Sequence, residues 1–86
     1  MARVEIYATP ICPYCMRARA LLERKGAAFV NIDVSIDAAK RAEMMERSGG
    51  CTTVPQIFIN GEHIGGSDEL ATLEETGMLD LKLGNG

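Results

Sequence analysis

The sequence predicts an α/β domain built on a mixed β-sheet, and two observations support this fold class. A strand segment, a helical segment and a second strand segment follow one another early in the chain. This order implies a right-handed crossover between two parallel strands. Asn60-Gly61 lies between two further strand segments and indicates a hairpin, whose strands are antiparallel. With 86 residues, 47% of them apolar, residues 1–86 fit a single domain with one compact core.

The first strand is predicted over residues 2–7, where apolar and polar side chains alternate. The first helix follows the loop after it, is rich in Ala, Leu, Arg and Glu up to Lys25, and ends at Gly26. Its arginines Arg17 and Arg24 point away from the core and are interpreted as a solvated face. The side chains predicted to share its inner face are Cys15, Ala18, Leu21 and Leu22.

The second strand is predicted over residues 28–32. Either Ser35 or Asp37 caps a second helix, in which Glu43 and Arg47 are spaced to form an i,i+4 ion pair. This helix runs to about Ser48, and its predicted inner face consists of Ala38, Ala42 and Met45.

The hairpin consists of strands predicted over residues 56–59 and 62–64. A third helix follows, with Ser67 as its predicted N-cap and acidic residues in its first turn. Residues 78–83 are expected to form a short docking turn or helix, and residues 84–86 a flexible tail.

A Cys-Pro-Tyr-Cys tetrad lies between the first strand and the first helix. Pro13 suits the first helical position, which makes Cys12 the N-cap. The Cys12 sulfur then faces unpaired backbone N–H groups and the positive end of the helix dipole, and both favour the thiolate. Cys15 lies one turn further on, within reach of a disulfide with Cys12. The asymmetry predicts that Cys12 attacks and Cys15 resolves.

Composition excludes several other classes of function. The net charge is −3 with both signs mixed, so neither nucleic acid nor an anionic membrane is an expected partner. No apolar run is long enough to cross a bilayer, and the chain enters a strand without an apolar signal segment, which favours the cytosol. Cys51 and His63 do not form a second ligand pair for zinc, so no metal is expected. We also expect a monomer.

Two further segments each allow two interpretations. Pro55 is either a simple strand starter or the second residue of a cis peptide bond after Val54. The Gly65-Gly66-Ser67-Asp68 sequence is either an ordinary helix cap or a binding site for a carboxylate on free N–H groups. The residues alone favour the simpler interpretation in each case.

Taken together, the Cys-Pro-Tyr-Cys, Thr-Val-Pro and Gly-Gly-Ser-Asp segments resemble those of the glutaredoxins, most closely the small bacterial dithiol class. The resemblance extends over essentially the whole chain, with the elements in the same order. It implies a thioredoxin-like fold, with a four-stranded mixed sheet flanked by three helices in the order β-α-β-α-β-β-α. It also implies a cis bond between Val54 and Pro55, and it brings the three segments together.

The resemblance further implies glutathione as co-substrate. Cys12 would form the mixed disulfide with glutathione, the Val54 backbone would pair with the tripeptide, and Asp68 would hold its γ-glutamyl end. The reaction implied is the reduction of protein disulfides through both cysteines, or the removal of glutathione from modified proteins through Cys12 alone. The residues implied to bind glutathione are Tyr14, Thr53, Val54, Pro55, Gly66, Ser67 and Asp68.

The chain departs from the family pattern at three positions. Thr9 stands where relatives commonly have a lysine, Ser67 where many have another cysteine, and Cys51 near a position that is often basic. The missing lysine leaves open an electron donor that thioredoxin reductase reduces. A carrier of an iron–sulfur cluster is a further alternative, but Pro13 and Cys15 count against it.

Overall fold

The computed structural model describes residues 2–84, and they form a four-stranded sheet with four helices. The sheet order is β2-β1-β3-β4, with β1 and β2 parallel and β3 antiparallel to both β1 and β4. The mixed sheet predicted from the sequence is thus confirmed. The elements are β1 (Val4–Ala8), α1 (Pro13–Arg24), β2 (Phe29–Asp33), α2 (Ala38–Arg47), β3 (Gln56–Ile59), β4 (Glu62–Gly65), α3 (Ser67–Glu75) and α4 (Met78–Leu83).

The C-terminal segment after α3 forms a helix, so residues 2–84 contain four helices where the family resemblance implied three. Gly77 adopts a positive φ of 78°, which lets the chain reverse between α3 and α4. Leu79 and Leu83 of α4 are buried, so the segment docks on the core as a helix. Gly84 is the C-cap of α4. The rest of the predicted flexible tail, Asn85 and Gly86, lies outside the described residues.

The parallel strands end one residue later than the sequence predicts. β1 extends to Ala8 and β2 to Asp33, because these two residues are themselves paired across the strands. Successive side chains of a strand point to opposite faces of the sheet, so the strands contribute side chains to two separate cores. The larger core lies on the face of the sheet that carries α1, α3 and α4, and includes Val4, Ile6, Ile57 and Ile59. The smaller core lies on the opposite face.

This smaller core corrects the predicted inner face of α2. Met44 is fully buried against Tyr7 and Phe58, whereas Met45 is 36% exposed and both predicted alanines, Ala38 and Ala42, are exposed. The orientation of the helix follows from the polar groups beside Met44. Glu43 accepts a hydrogen bond from the Tyr7 hydroxyl, and Arg47 donates one to it. These two bonds turn Met44, which lies between Glu43 and Arg47 in the helix, towards the sheet.

The predicted ion pair between Glu43 and Arg47 is replaced by contacts to the sheet. The Arg47 guanidinium donates to Glu5 Oε1 at 3.0 Å and lies over the Phe58 ring, 4.2 Å from its centroid. Glu43 instead accepts from the Tyr7 hydroxyl. The Glu5 side chain is 12% exposed and the Glu43 side chain is 41% exposed. Water therefore screens the attraction between Glu5 and the guanidinium less.

No helix within residues 2–84 has the length and apolar character needed to cross a membrane.

Candidate active site

Cys12 is the N-cap of α1, as the sequence predicts, with extended backbone angles of φ −87° and ψ 119°. Pro13 occupies the first helical position. Burial alone raises the pKa of the Cys12 thiol, but hydrogen bonds from Cys15 and from the Tyr14 backbone outweigh it. With a smaller contribution from the charge of Arg19, they lower this pKa below the ordinary value. The N-terminal end of α1 therefore favours the thiolate form of Cys12.

Cys15 is fully buried in the larger core, under the first turn of α1. Burial raises the pKa of its thiol, against a backbone hydrogen bond from Thr9, and the hydrogen bond with Cys12 raises it further. Both thiols are free, so the structure corresponds to the reduced dithiol. The thiolate form is thus favoured at Cys12 relative to an ordinary cysteine, and the protonated thiol is favoured at Cys15.

The segment before β3 lies against the Cys12 sulfur. The peptide bond between Val54 and Pro55 is cis, as the family resemblance implied. Cys12 Sγ lies 4.0 Å from the carbonyl oxygen of Val54. Val54 is half-buried and Thr53 is exposed, so this segment presents backbone groups to solvent beside the sulfur.

The turn that begins α3 has its N-cap one residue earlier than the sequence predicts. Gly66, and not Ser67, is the N-cap, and Ser67 is the first residue of the helix. Glu69, the third residue of the helix, marks this boundary, because its Oε1 accepts from the backbone N–H of the N-cap Gly66 at 2.7 Å. Gly65 has a positive φ of 117°, and a Cβ there would lie 2.9 Å from Glu69 Cγ. The two glycines therefore let the carboxylate close over the turn.

One cavity of about 290 Å³ joins this turn to Val54 and Pro55, which we call the cis-proline segment. All seven residues that the family resemblance implies for glutathione binding line it, together with two others, Gln56 and Glu69. The complete lining is Tyr14, Thr53, Val54, Pro55, Gln56, Gly66, Ser67, Asp68 and Glu69. We call this the active-site cavity. Three segments that are distant in the sequence thus meet around one space beside Cys12.

Gln56 is a cavity residue that the sequence reasoning missed. Its side chain is 4% exposed, and its Nε2 donates to the carbonyl oxygen of Thr53 at 3.0 Å and to the Thr53 hydroxyl at 3.3 Å. Its Oε1 lies 2.6 Å from His63 Nε2. Because an amide oxygen only accepts, that histidine nitrogen carries the hydrogen. The available signal was a polar residue inside an otherwise apolar strand, directly after the proline.

Thr9 and Arg41 lie away from the active-site cavity. Thr9 lines a separate cavity of about 400 Å³ with Pro10, Ile11, Cys12 and Ser35. Arg41 donates from Nη2 to the carbonyl oxygen of Thr52 at 2.8 Å, and so holds the loop before the cis-proline segment.

Cys51 lies outside the dithiol centre. Its thiol is half-buried and donates to the carbonyl oxygen of Ser48 at 3.5 Å. Within residues 2–84, no group of three or more histidine, cysteine or acidic side chains is arranged to hold a metal ion.

Comparison with known proteins decides the family. The family model described as Glutaredoxin matches residues 4–64. The chain belongs to the glutaredoxin family. Glutaredoxin 3 of Escherichia coli is 56% identical over 80 residues, which cover 93% of this chain and 95% of that protein. As a member of the glutaredoxins at this identity, the chain is a thiol–disulfide oxidoreductase.

Solved glutaredoxin structures share the fold. The solution structure of glutaredoxin from Brucella melitensis is 56% identical with a TM-score of 0.85, and the match covers 100% of this chain and 92% of that chain. The crystal structure of a buckwheat glutaredoxin–glutathione complex is 30% identical with a TM-score of 0.86, covering 94% of this chain and 76% of that one. The thioredoxin-like fold implied by the sequence is confirmed.

Proposed function

We propose that this glutaredoxin uses glutathione, and that Cys12 is its nucleophile and Cys15 its resolving thiol. The observation that carries the proposal is the difference between the two sulfurs. Cys12 has a lowered pKa and lies at the mouth of a helix beside an open cavity, whereas Cys15 is buried with a raised pKa. A thiolate is the attacking species in disulfide exchange, and a protonated thiol that ionises later completes it.

Glutathione is proposed to occupy the active-site cavity with its sulfur at Cys12. Backbone groups of Val54 would pair with the tripeptide as a short added strand, and the first N–H groups of α3, at Ser67 and Asp68, would hold a carboxylate of its γ-glutamyl end. The Asp68 carboxylate would bind the adjacent ammonium group. The proposal is supported by the convergence of these groups on one cavity and by the buckwheat glutaredoxin–glutathione complex of the same fold.

The proposed reaction has two branches. With a protein disulfide, the Cys12 thiolate attacks one sulfur and releases the other as a thiol, and Cys15 then attacks the mixed disulfide. The protein disulfide becomes two thiols and the dithiol becomes a disulfide, which two glutathione molecules reduce while they become glutathione disulfide. With a glutathionylated protein, Cys12 takes the glutathionyl group, and a second glutathione removes it as glutathione disulfide. Disulfide-bearing and glutathionylated proteins are therefore the proposed substrates.

Two single variants test the assignment of roles. We expect Cys12→Ser to lose both activities, because no thiolate remains at the cavity. Cys15→Ser should lose reduction of a protein disulfide but keep most of the removal of glutathione from a glutathionylated peptide. Cys51→Ser is the matched control, since it removes a thiol outside the cavity, and it should retain both activities. Equal losses in the Cys12 and Cys15 variants would contradict the roles.

The same assay separates the two possible reductants. The wild-type protein is supplied with glutathione and glutathione reductase in one arm, and with thioredoxin reductase in the other. We expect turnover in the first arm. Turnover in the second arm alone would refute the dependence on glutathione and would favour the interpretation motivated by Thr9.

A further inference from the structure

A second groove begins where the active-site cavity ends. It lies between α1 and α3 and has a volume of about 350 Å³. Buried or partly buried apolar side chains from α1, Ala18, Ala20 and Leu21, line it. Small side chains on both helices, Ala20 and Ala71, leave the space between them open. We call this space the α1–α3 groove.

Two arginines form the α1 side of this groove. Arg17 and Arg24 are both exposed and lie seven residues apart, so their positions are about 10 Å apart along the helix axis. Within residues 2–84 neither arginine forms an ion pair with a carboxylate, whereas Arg47 pairs with Glu5. The chain as a whole is acidic, with a net charge of −3. The groove lining therefore carries two arginines against one carboxylate, Asp68, and is positive although the chain is acidic.

The α1–α3 groove is continuous with the active-site cavity. Ser67 and Asp68 line both spaces. The Arg17 guanidinium lies over the ring of Tyr14, another residue of the active-site cavity, 5.4 Å from its centroid. A polypeptide that brings a disulfide to the cavity beside Cys12 can thus continue directly into the groove.

We propose that the α1–α3 groove docks an extended acidic segment of the protein whose disulfide is reduced at Cys12. This inference rests on the proposed function for its reacting atom. Carboxylates of the segment pair with Arg17 and Arg24, and its small apolar side chains cover the alanines between the helices. Asp68 repels carboxylates at the end nearest Cys12, so the acidic residues lie further along, over the arginines. Charge complementarity of this kind increases the rate of encounter more than the final affinity.

The test compares two peptides that contain the same disulfide. One carries Asp and Glu on one flank, and the other carries Asn and Gln at the same positions. The pre-reduced protein, without glutathione, reduces each peptide in a single turnover, so that its dithiol becomes a disulfide and the peptide gains two thiols. For wild type at low salt we expect the acidic peptide to react about tenfold faster, from two ion pairs worth about threefold each. The preference should shrink in about 0.5 M salt because exposed charges are screened.

Arg24→Gln is the informative variant, because Arg24 lies in the groove but outside the active-site cavity. It should lose about threefold of the preference for the acidic peptide and reduce a small disulfide at the wild-type rate. Arg3→Gln is the matched control, with the same change of charge at a side chain that is 70% exposed and lines neither space. Equal rates for the two peptides, or equal losses in the two variants, would overturn the proposal and leave the arginines as a solvated face.

A binding measurement keeps the groove testable apart from the chemistry. If wild type reduces neither peptide, the proposed function fails, and the groove is judged with a fluorescent acidic peptide that carries serine at both cysteine positions. Binding that weakens in Arg24→Gln and not in Arg3→Gln supports the groove. Absence of binding to wild type at low salt overturns it.

Discussion

Replacing Gln56 with leucine tests how the active-site cavity is held in shape. The Gln56 amide links the exposed Thr53, next to the cis-proline segment, to His63 on β4. Leucine has a similar volume and suits a buried strand position, so the change removes the hydrogen bonds and leaves the packing nearly intact. The variant therefore separates the position of the Thr53 backbone from the stability of the core.

The expected loss of stability follows from the contacts of that amide. It makes three hydrogen bonds, at 2.6, 3.0 and 3.3 Å, and each contributes about 1 kcal/mol or less in net terms. Thr53 and His63 are exposed, so water satisfies the groups that leucine leaves behind. We expect a loss of about 2 kcal/mol in the free energy of unfolding. In the variant, glutathione binding has to re-order the Thr53 segment at a cost of about 1 kcal/mol, so the KM for glutathione rises about fivefold.

The assay combines urea unfolding with steady-state turnover of a small disulfide at varied glutathione. We expect the KM for glutathione to rise while kcat changes little, because Cys12 and its helix are untouched. Gln56→Glu is a second variant that keeps the acceptor for His63 but removes the donor to Thr53, and its KM should rise as well. A Gln56→Leu protein with reduced stability and an unchanged KM would refute the role in positioning.

Three other predictions rest on burial and charge. Because the pKa of Cys12 is lowered in the folded protein, alkylation of Cys12 should reach half its maximal rate at a lower pH than alkylation of an ordinary thiol. The shift of Cys12 contributes stability to the reduced protein that is present above the pKa of the unfolded thiol and is lost as the pH falls through the folded value, whereas the raised pKa of Cys15 opposes it at high pH. Met44→Ala should destabilise the fold by about 2–5 kcal/mol in urea unfolding, while Met45→Ala should change it by about 0.5 kcal/mol or less. Equal effects of the two methionine variants would contradict the orientation of α2.

Local sequence signals predicted the start of α1 and the hairpin turn correctly. The N-cap position of Cys12 follows from Pro13 alone, because a proline at the first helical position fixes where the helix begins. The hairpin at Asn60-Gly61 is equally local, since both residues adopt the positive φ that such a turn requires. Features that depend on residues adjacent in the chain can thus be predicted from the sequence.

Features that depend on competition between several possible partners were not predicted correctly from the sequence. Several groups in the sequence were available to Arg47 and to the α3 turn, and the predictions chose the nearest along the chain, Glu43 and Ser67. The structure instead pairs Arg47 with Glu5, because folding brings this distant carboxylate to the guanidinium. At the α3 turn the missed partner, Glu69, is local, since it lies three residues after the Gly66 N–H that it accepts from. The face that α2 buries depends in the same way on contacts across the sheet, which helical periodicity alone does not contain.

The sequence by itself determined the position of Cys12 at the start of α1, with Cys15 one turn further on, and the order of strands and helices, because caps, turns and side-chain periods depend on adjacent residues. The family resemblance implied that Val54 and Asp68 meet beside Cys12, but only the tertiary structure decided that Gln56 lines the same cavity, and that Arg17 and Arg24 border a groove that continues from it. These arrangements depend on how the helices pack on the sheet. That packing is a property of the whole chain, and no short segment specifies it.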